Sequence, residues 1–151
     1  MLNYVEHIGI TVSNLEKSLV FYRDVLGLNY KGEMIMNSKE TEILFGIKNC
    51  IVKVAYLNCN DLINGPEIEL IQFISEYCVK RKSSLNITSI SELCFNVLDI
   101  EQVYNKLKSS CVSFISPPQF FDLSSQGFGK SKAVYLKDPD GIILELIEHI
   151  N

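Results

Sequence analysis

The sequence predicts an α+β fold in which one structural unit is written twice. Two observations carry that expectation. Residues 87–107, ITSISELCFNVLDIEQVYNKL, repeat the pattern of residues 4–26, YVEHIGITVSNLEKSLVFYRDVL, with Glu92 where the first copy has His7. Each copy is then followed by strand-like segments, which makes each half a βα start followed by an antiparallel meander.

The first unit opens on alternation. Val5, His7, Gly9 and Thr11 point one way and Glu6, Ile8, Ile10 and Val12 the other, a strand by period and by propensity. Ser13 and Glu16 have capping-box spacing, in which hydroxyl and carboxylate each satisfy an orphan backbone amide. Leu15, Leu19, Tyr22 and Leu26 recur at helical spacing, and Gly27 supplies a left-handed stop. Strand-like segments are expected near 28–36, 41–47, 50–58 and 66–74.

The second unit starts alike. Ile90, Glu92, Cys94 and Asn96 alternate with Leu93, Phe95 and Val97. Asp99 can cap a helix, with Gln102 in the box position and Ile100, Val103, Tyr104 and Leu107 as the apolar stripe. Lys106 and Lys108 suit its negative end. Strands are expected near 112–116, 132–137 and 142–148, the last two joined by the turn Asp138-Pro139-Asp140-Gly141. Residues 120–135, FFDLSSQGFGKSKAVY, read as a Gly- and Ser-rich loop. The expected organisation is one domain over 1–151, with module one at about 1–75, module two at about 88–151 and a linker at about 76–87. A half of about 75 residues is marginal alone, so the two sheets are expected to pack as one body.

Bulk properties narrow the function. The formal net charge of −4 argues against nucleic acid, whose phosphates need a basic face. The short basic run Lys80-Arg81-Lys82 reads as a solvated linker. The five cysteines are odd in number and form no CxxC pair, which suits reduced thiols in a cytoplasmic protein rather than a disulfide framework. The strand pattern starts too close to Met1 to leave room for a signal segment, and no apolar run approaches the ~20 residues of a membrane span.

The informative polar residues interrupt otherwise apolar strands. His7 and Glu92 stand near the start of each unit's first strand. Glu69, in PEIELIQF, and Glu145, in GIILELIE, stand in each unit's last strand. If the repeats pack about a pseudo-two-fold axis, all four converge in one concave sheet. Three carboxylates would repel one another there, and a divalent cation is the natural remedy. Taken singly, each of the four reads as an ordinary surface or hydrogen-bonded strand residue, and their parallel placement is what points to a site.

At this point HIGITVSNLEKSLVFYRDVLGL and YLKDPDGIILELIE resemble the opening and closing signatures of the vicinal oxygen chelate superfamily. That superfamily includes glyoxalase I, methylmalonyl-CoA epimerase, extradiol dioxygenases and bleomycin-resistance proteins. The resemblance spans nearly the whole chain. It implies paired βαβββ modules forming an open, cup-shaped mixed sheet with a metal inside, commonly in a homodimer. The metal ligands it implies are His7, Glu69, Glu92 and Glu145. The third position departs from the usual His, and Glu92 there makes the site harder and more anionic, favouring Mn²⁺, with Ni, Co and Zn as other candidates. One His with three carboxylates argues against the two-His, one-carboxylate set of Fe(II) dioxygenases. Thr11 and Phe73 stand where glutathione-dependent bacterial glyoxalase I carries an Arg and an Asn that hold glutathione, which argues against a glutathione thioester.

The resemblance therefore implies a metal-dependent lyase or isomerase moving a proton next to the carbonyl of a small substrate. Glu145 is the first candidate for general base, with Glu92 or Glu69 as the other proton carrier. Thr11, Phe73, Phe128 and Lys130 are candidate substrate-binding residues, with Lys132 beside Lys130 facing an anionic substrate. The alternative is a ligand-sequestering protein of the same fold, as in antibiotic resistance, with Phe73, Phe120, Phe121 and Phe128 stacking on a planar ligand. A domain whose ligands are remnants is the third reading.

Overall fold

A computed structural model describes residues 2–59, 65–79 and 82–150. Lys80 and Arg81 of the basic run lie outside the described residues. The chain forms two compact units, Met1–Lys80 and Arg81–Asn151.

In the first unit, strand β1 (His7–Thr11) leads to helix α1 (Leu15–Leu19), which continues as a wide π turn over Val20–Val25. The Leu26 N–H reaches back to the Phe21 carbonyl at 2.9 Å, and Gly27 ends the run at φ 81°. The cap is Asn14 rather than Ser13: Asn14 is extended, and its side chain accepts the Lys17 N–H at 2.9 Å. Glu16 instead pairs with Lys53 at 3.0 Å. Strand β2 (Asn29–Met36), helix α2 (Lys39–Phe45), strand β3 (Val52–Asn58) and strand β4 (Glu67–Phe73) complete the unit. The strand expected at 41–47 is thus a helix. Its side-chain cap on Ser38, acidic first turn and Gly46 at φ 67° outweigh the strand propensity of Thr41, Ile43 and Phe45.

The sheet order is β1-β4-β3-β2, with β1 parallel to β4 and the other pairs antiparallel. The alternation expected for β1 is observed: Ile10 and Val12 are buried while His7, Gly9 and Thr11 are exposed. Val12, Leu15, Tyr22, Val54, Leu57 and Leu70 are fully buried. That burial supplies most of the stability, at about 1.5–3 kcal/mol per large side chain.

The second unit repeats the plan. Strand β5 (Leu93–Asn96) and helix α3 (Ile100–Ser109) are followed by β6 (Ser113–Phe114), β7 (Gln119–Asp122), β8 (Lys130–Lys137) and β9 (Ile143–Ile150). The path β5-β9-β8-β6 again joins first and last strands in parallel, and β7 also pairs with β8. Ile100, Leu136 and Leu144 are fully buried. The Asp138 carboxylate accepts the Asp140 and Ile142 amides at 2.9 and 2.8 Å, and Gly141 adopts φ 83°, as the turn signal required.

The segment read as a loop at 120–135 is largely a β-hairpin. Phe120 pairs with Lys132 and Asp122 with Lys130, and the Gly and Ser residues gather in the turn, where Gly127 and Gly129 adopt φ 84° and 75°. Composition there reported the turn and hid the strand. Helix α3 is capped as expected: Asp99 Oδ1 accepts the Gln102 N–H at 2.9 Å. Replacing Asp99 by Ala should lower the stability of this unit by about 1 kcal/mol, read as a lower midpoint in chemical denaturation.

The two registers match residue for residue. Val12 donates to Ile71 at 2.9 Å, and Val97 donates to Ile147 at 2.8 Å. The first helical amides are also capped alike, Leu15 N–H by Gln72 Oε1 at 2.8 Å and Ile100 N–H by Glu148 Oε2 at 2.9 Å. Gln72 follows Glu69 by the same interval as Glu148 follows Glu145. The repeat is therefore a property of the backbone and of its helix caps.

Candidate functional site

In the first unit the parallel ladder sets Gly9 beside Glu69, with His7 one alternation earlier on the same face. His7 Nε2 lies 3.3 Å from Glu69 Oε2, with the imidazole 42% exposed and the carboxylate 13% exposed. On the other side of β4, Tyr56 of β3 stands opposite Glu69 and donates its hydroxyl to Oε1 at 2.6 Å. Both oxygens of Glu69 are thus engaged, and the Tyr56 ring meets the His7 ring edge-on at 6.0 Å.

Two donors bound to one ion at about 2.0–2.2 Å and separated by 90–110° lie about 2.8–3.6 Å apart. The His7–Glu69 pair therefore fits two adjacent positions on a divalent cation. Tyr56 is the partner that orients such a carboxylate, a role usual for groups just behind metal ligands. Among the described residues no group of three or more His, Cys, Asp or Glu side chains is placed so as to hold a metal ion.

Burial, the Glu69 hydrogen bond and the Glu69 charge push the Tyr56 phenol up to about 12. A phenol raised above its ordinary value of about 10 stabilises the fold fully below that pH, and the contribution is lost as pH rises through the folded value. Alkaline denaturation should therefore show a loss of stability between about pH 10 and 12 that Tyr56→Phe lacks.

The second unit carries the corresponding group. Glu145 is half-buried on β9, flanked by Cys94 of β5 and Tyr135 of β8, as Glu69 is flanked by Gly9 and Tyr56. Glu92 directly precedes β5 at the register position that His7 holds. Cys94 stands beside Glu145 in the ladder, and burial, the adjacent Glu145 carboxylate and the charge of Glu92 push its thiol up to about 12. Burial and the same two carboxylates raise the Tyr135 phenol.

The remaining candidates fall elsewhere on each unit. Thr11 ends β1 on the exposed face that bears His7. Phe73 ends β4, packs against Cys50, Val52 and Val54, and meets Phe45 edge-on at 5.5 Å. Phe128 projects from the turn of the β7–β8 hairpin, 78% exposed. Lys130 faces Asp122 across that hairpin at 3.9 Å, and Lys132 pairs with Glu101 at 3.0 Å, so both lysines have carboxylate partners.

Sequence reading missed Tyr56, Tyr135 and Cys94. The signal was present: each tyrosine sits on the strand just before the one bearing the glutamate, and Cys94 follows Glu92 as Gly9 follows His7. Their significance rests on cross-strand pairing, which a linear pattern does not display.

Comparison with known proteins agrees with this plan. The sequence model of the Glyoxalase/Bleomycin resistance protein/Dioxygenase superfamily matches residues 4–146. The chain belongs to that superfamily. Among curated relatives, the metallothiol transferase FosB of Staphylococcus haemolyticus is 28% identical over 148 residues, covering 97% of this chain and 84% of the relative. Among solved structures of the superfamily, a glyoxalase family protein from Bacillus cereus superposes with a TM-score of 0.85 at 19% identity, covering 100% of this chain and 97% of that one. A glyoxalase family protein from Enterococcus faecalis gives a TM-score of 0.65 at 28% identity, covering 96% and 97%. The Bacillus cereus likeness establishes the fold alone. No helix among the described residues is long and apolar enough to cross a membrane.

Proposed function

We propose that this protein is a divalent-metal-dependent lyase or isomerase of the glyoxalase type, moving a proton on the carbon beside a carbonyl of a small substrate. The observation that carries the proposal is the His7–Glu69 pair, whose carboxylate is held on its second oxygen by Tyr56. A hydrogen-bonded, half-shielded carboxylate touching an imidazole is preorganised for a cation. His7, Glu69, Glu92 and Glu145 are the proposed ligands, and Mn²⁺ is the favoured ion for a set so rich in carboxylate oxygen. The bound ion would supply Lewis acidity to the substrate oxygens.

The chain's own residues divide the remaining work. Glu69, engaged on both oxygens, acts as a fixed ligand. Glu145, contacted by a thiol, is freer to swing and take the substrate proton, because a thiol is a weak donor. Glu92 is the second proton carrier. Thr11, on the His7 face, together with Phe73, Phe128 and Lys130, is proposed to shape substrate binding. A homodimer working in the cytoplasm completes the proposal.

A second reading is thiol transfer to a small electrophile, supported by the likeness to a metallothiol transferase. A third is ligand sequestration without turnover. One experiment separates them. Protein purified without chelator is assayed for metal, beside Glu92→Ala, and 2-oxo and 2-hydroxy thioesters are then incubated with it in deuterium oxide. Near-stoichiometric metal lost in Glu92→Ala, with metal-dependent deuterium uptake, supports proton transfer. Metal-dependent joining of an added thiol to an added small electrophile, with the thiol proton released and no deuterium uptake, favours the second reading. Tight binding of an aromatic compound by metal-free protein, with neither reaction, favours the third.

A further inference from the structure

The two units differ at the position directly beside the glutamate, where their registers coincide. At Gly9 an added Cβ would lie 3.4 Å from Glu69 Oε2, ordinary contact distance, so any side chain there would rest against the carboxylate. In the second unit that position is Cys94, directly beside Glu145 in the parallel ladder, so that its thiol stands next to that carboxylate on the same face of the sheet. Glu69 accepts a phenol from the β3 side, and Glu145 has a thiol as its neighbour on the β5 side.

We propose that Cys94 is the positioning residue for Glu145, holding its carboxylate in the orientation that metal binding and proton abstraction require. The proposal rests on the metal-dependent reading above. A thiol suits a carboxylate that has to be aimed and yet released: it is a weaker donor than the phenol on Glu69, so it restrains the group without pinning it. The exchange of Gly9 for Cys94 is then the counterpart of the exchange of His7 for Glu92. Both give the second unit a proton-handling carboxylate where the first has a fixed ligand.

The test is titration of chelator-stripped protein with Mn²⁺ by calorimetry, on wild type, Cys94→Ala, Cys94→Ser, Glu145→Ala and the Cys94→Ala/Glu145→Ala pair. Cys94→Ala should weaken Mn²⁺ binding by about 10–100-fold, the usual cost of removing a group that orients a ligand. Cys94→Ser, which restores a donor, should recover wild-type affinity. In the Glu145→Ala background, where no side chain remains to be oriented, Cys94→Ala should be silent, because its effect passes through that carboxylate. Wild-type affinity in Cys94→Ala, or an equal loss in both backgrounds, overturns the assignment. Absence of Mn²⁺ binding by wild type itself overturns the metal-dependent reading, and the two failures are read in different arms of the experiment.

Discussion

Glu145→Gln is expected to lower turnover by ~10²–10⁴-fold, the usual worth of a positioned general base, while leaving the fold intact. The amide has the same shape, yet it cannot take up a proton at neutral pH. Glu145 is half-buried and its neighbours Leu144 and Leu146 are buried, so the strand's anchoring is untouched by the change. Metal-dependent deuterium uptake by the substrate is the assay, with circular dichroism to verify the fold. An active, correctly folded Glu145→Gln enzyme would remove Glu145 from the role of base. The loss corresponds to about 3–5 kcal/mol of transition-state stabilisation.

The neighbouring substitution should do the opposite. Leu144 points to the other face of β9, where it is 0% exposed and sits level with Leu93 and Leu136 on the flanking strands. Leu144→Ala removes buried methyl groups and leaves a cavity, a cost of about 2–5 kcal/mol. Chemical denaturation should show the second unit unfolding at a clearly lower midpoint, with native-like Mn²⁺ binding in the absence of denaturant. A change below about 1 kcal/mol would mean that this face is not the core. Adjacent residues on one strand thus separate chemistry from stability, because strand side chains alternate.

Much of this was legible from local pattern. The alternation in residues 5–12 assigned β1 and its buried face, and helical spacing after Asp99 assigned α3 together with its cap. The turn at Asp138–Gly141 and the repeat of unit one in unit two were equally plain. Errors arose where two local signals competed. At Ser38–Gly46 capping chemistry prevailed over strand propensity, and at Ser13–Asn14 two adjacent capping residues left the choice to backbone conformation. In residues 119–130 turn residues masked a strand that exists through its pairing with β8.

The candidate site divides in the same way. His7, Glu69, Glu92 and Glu145 stand out as candidates because charged groups in apolar strands are conspicuous and the repeat places them in parallel. Their partners were not. Tyr56 on Glu69 and Cys94 on Glu145 are separated from those residues along the chain and meet them through sheet register. Residue type, period and repeat are short-range properties that a linear chain displays. Which oxygen of Glu69 accepts a phenol, and that a thiol lies where Gly9 leaves its space, follow from cross-strand neighbours about 5 Å apart, which exist once the strands have paired.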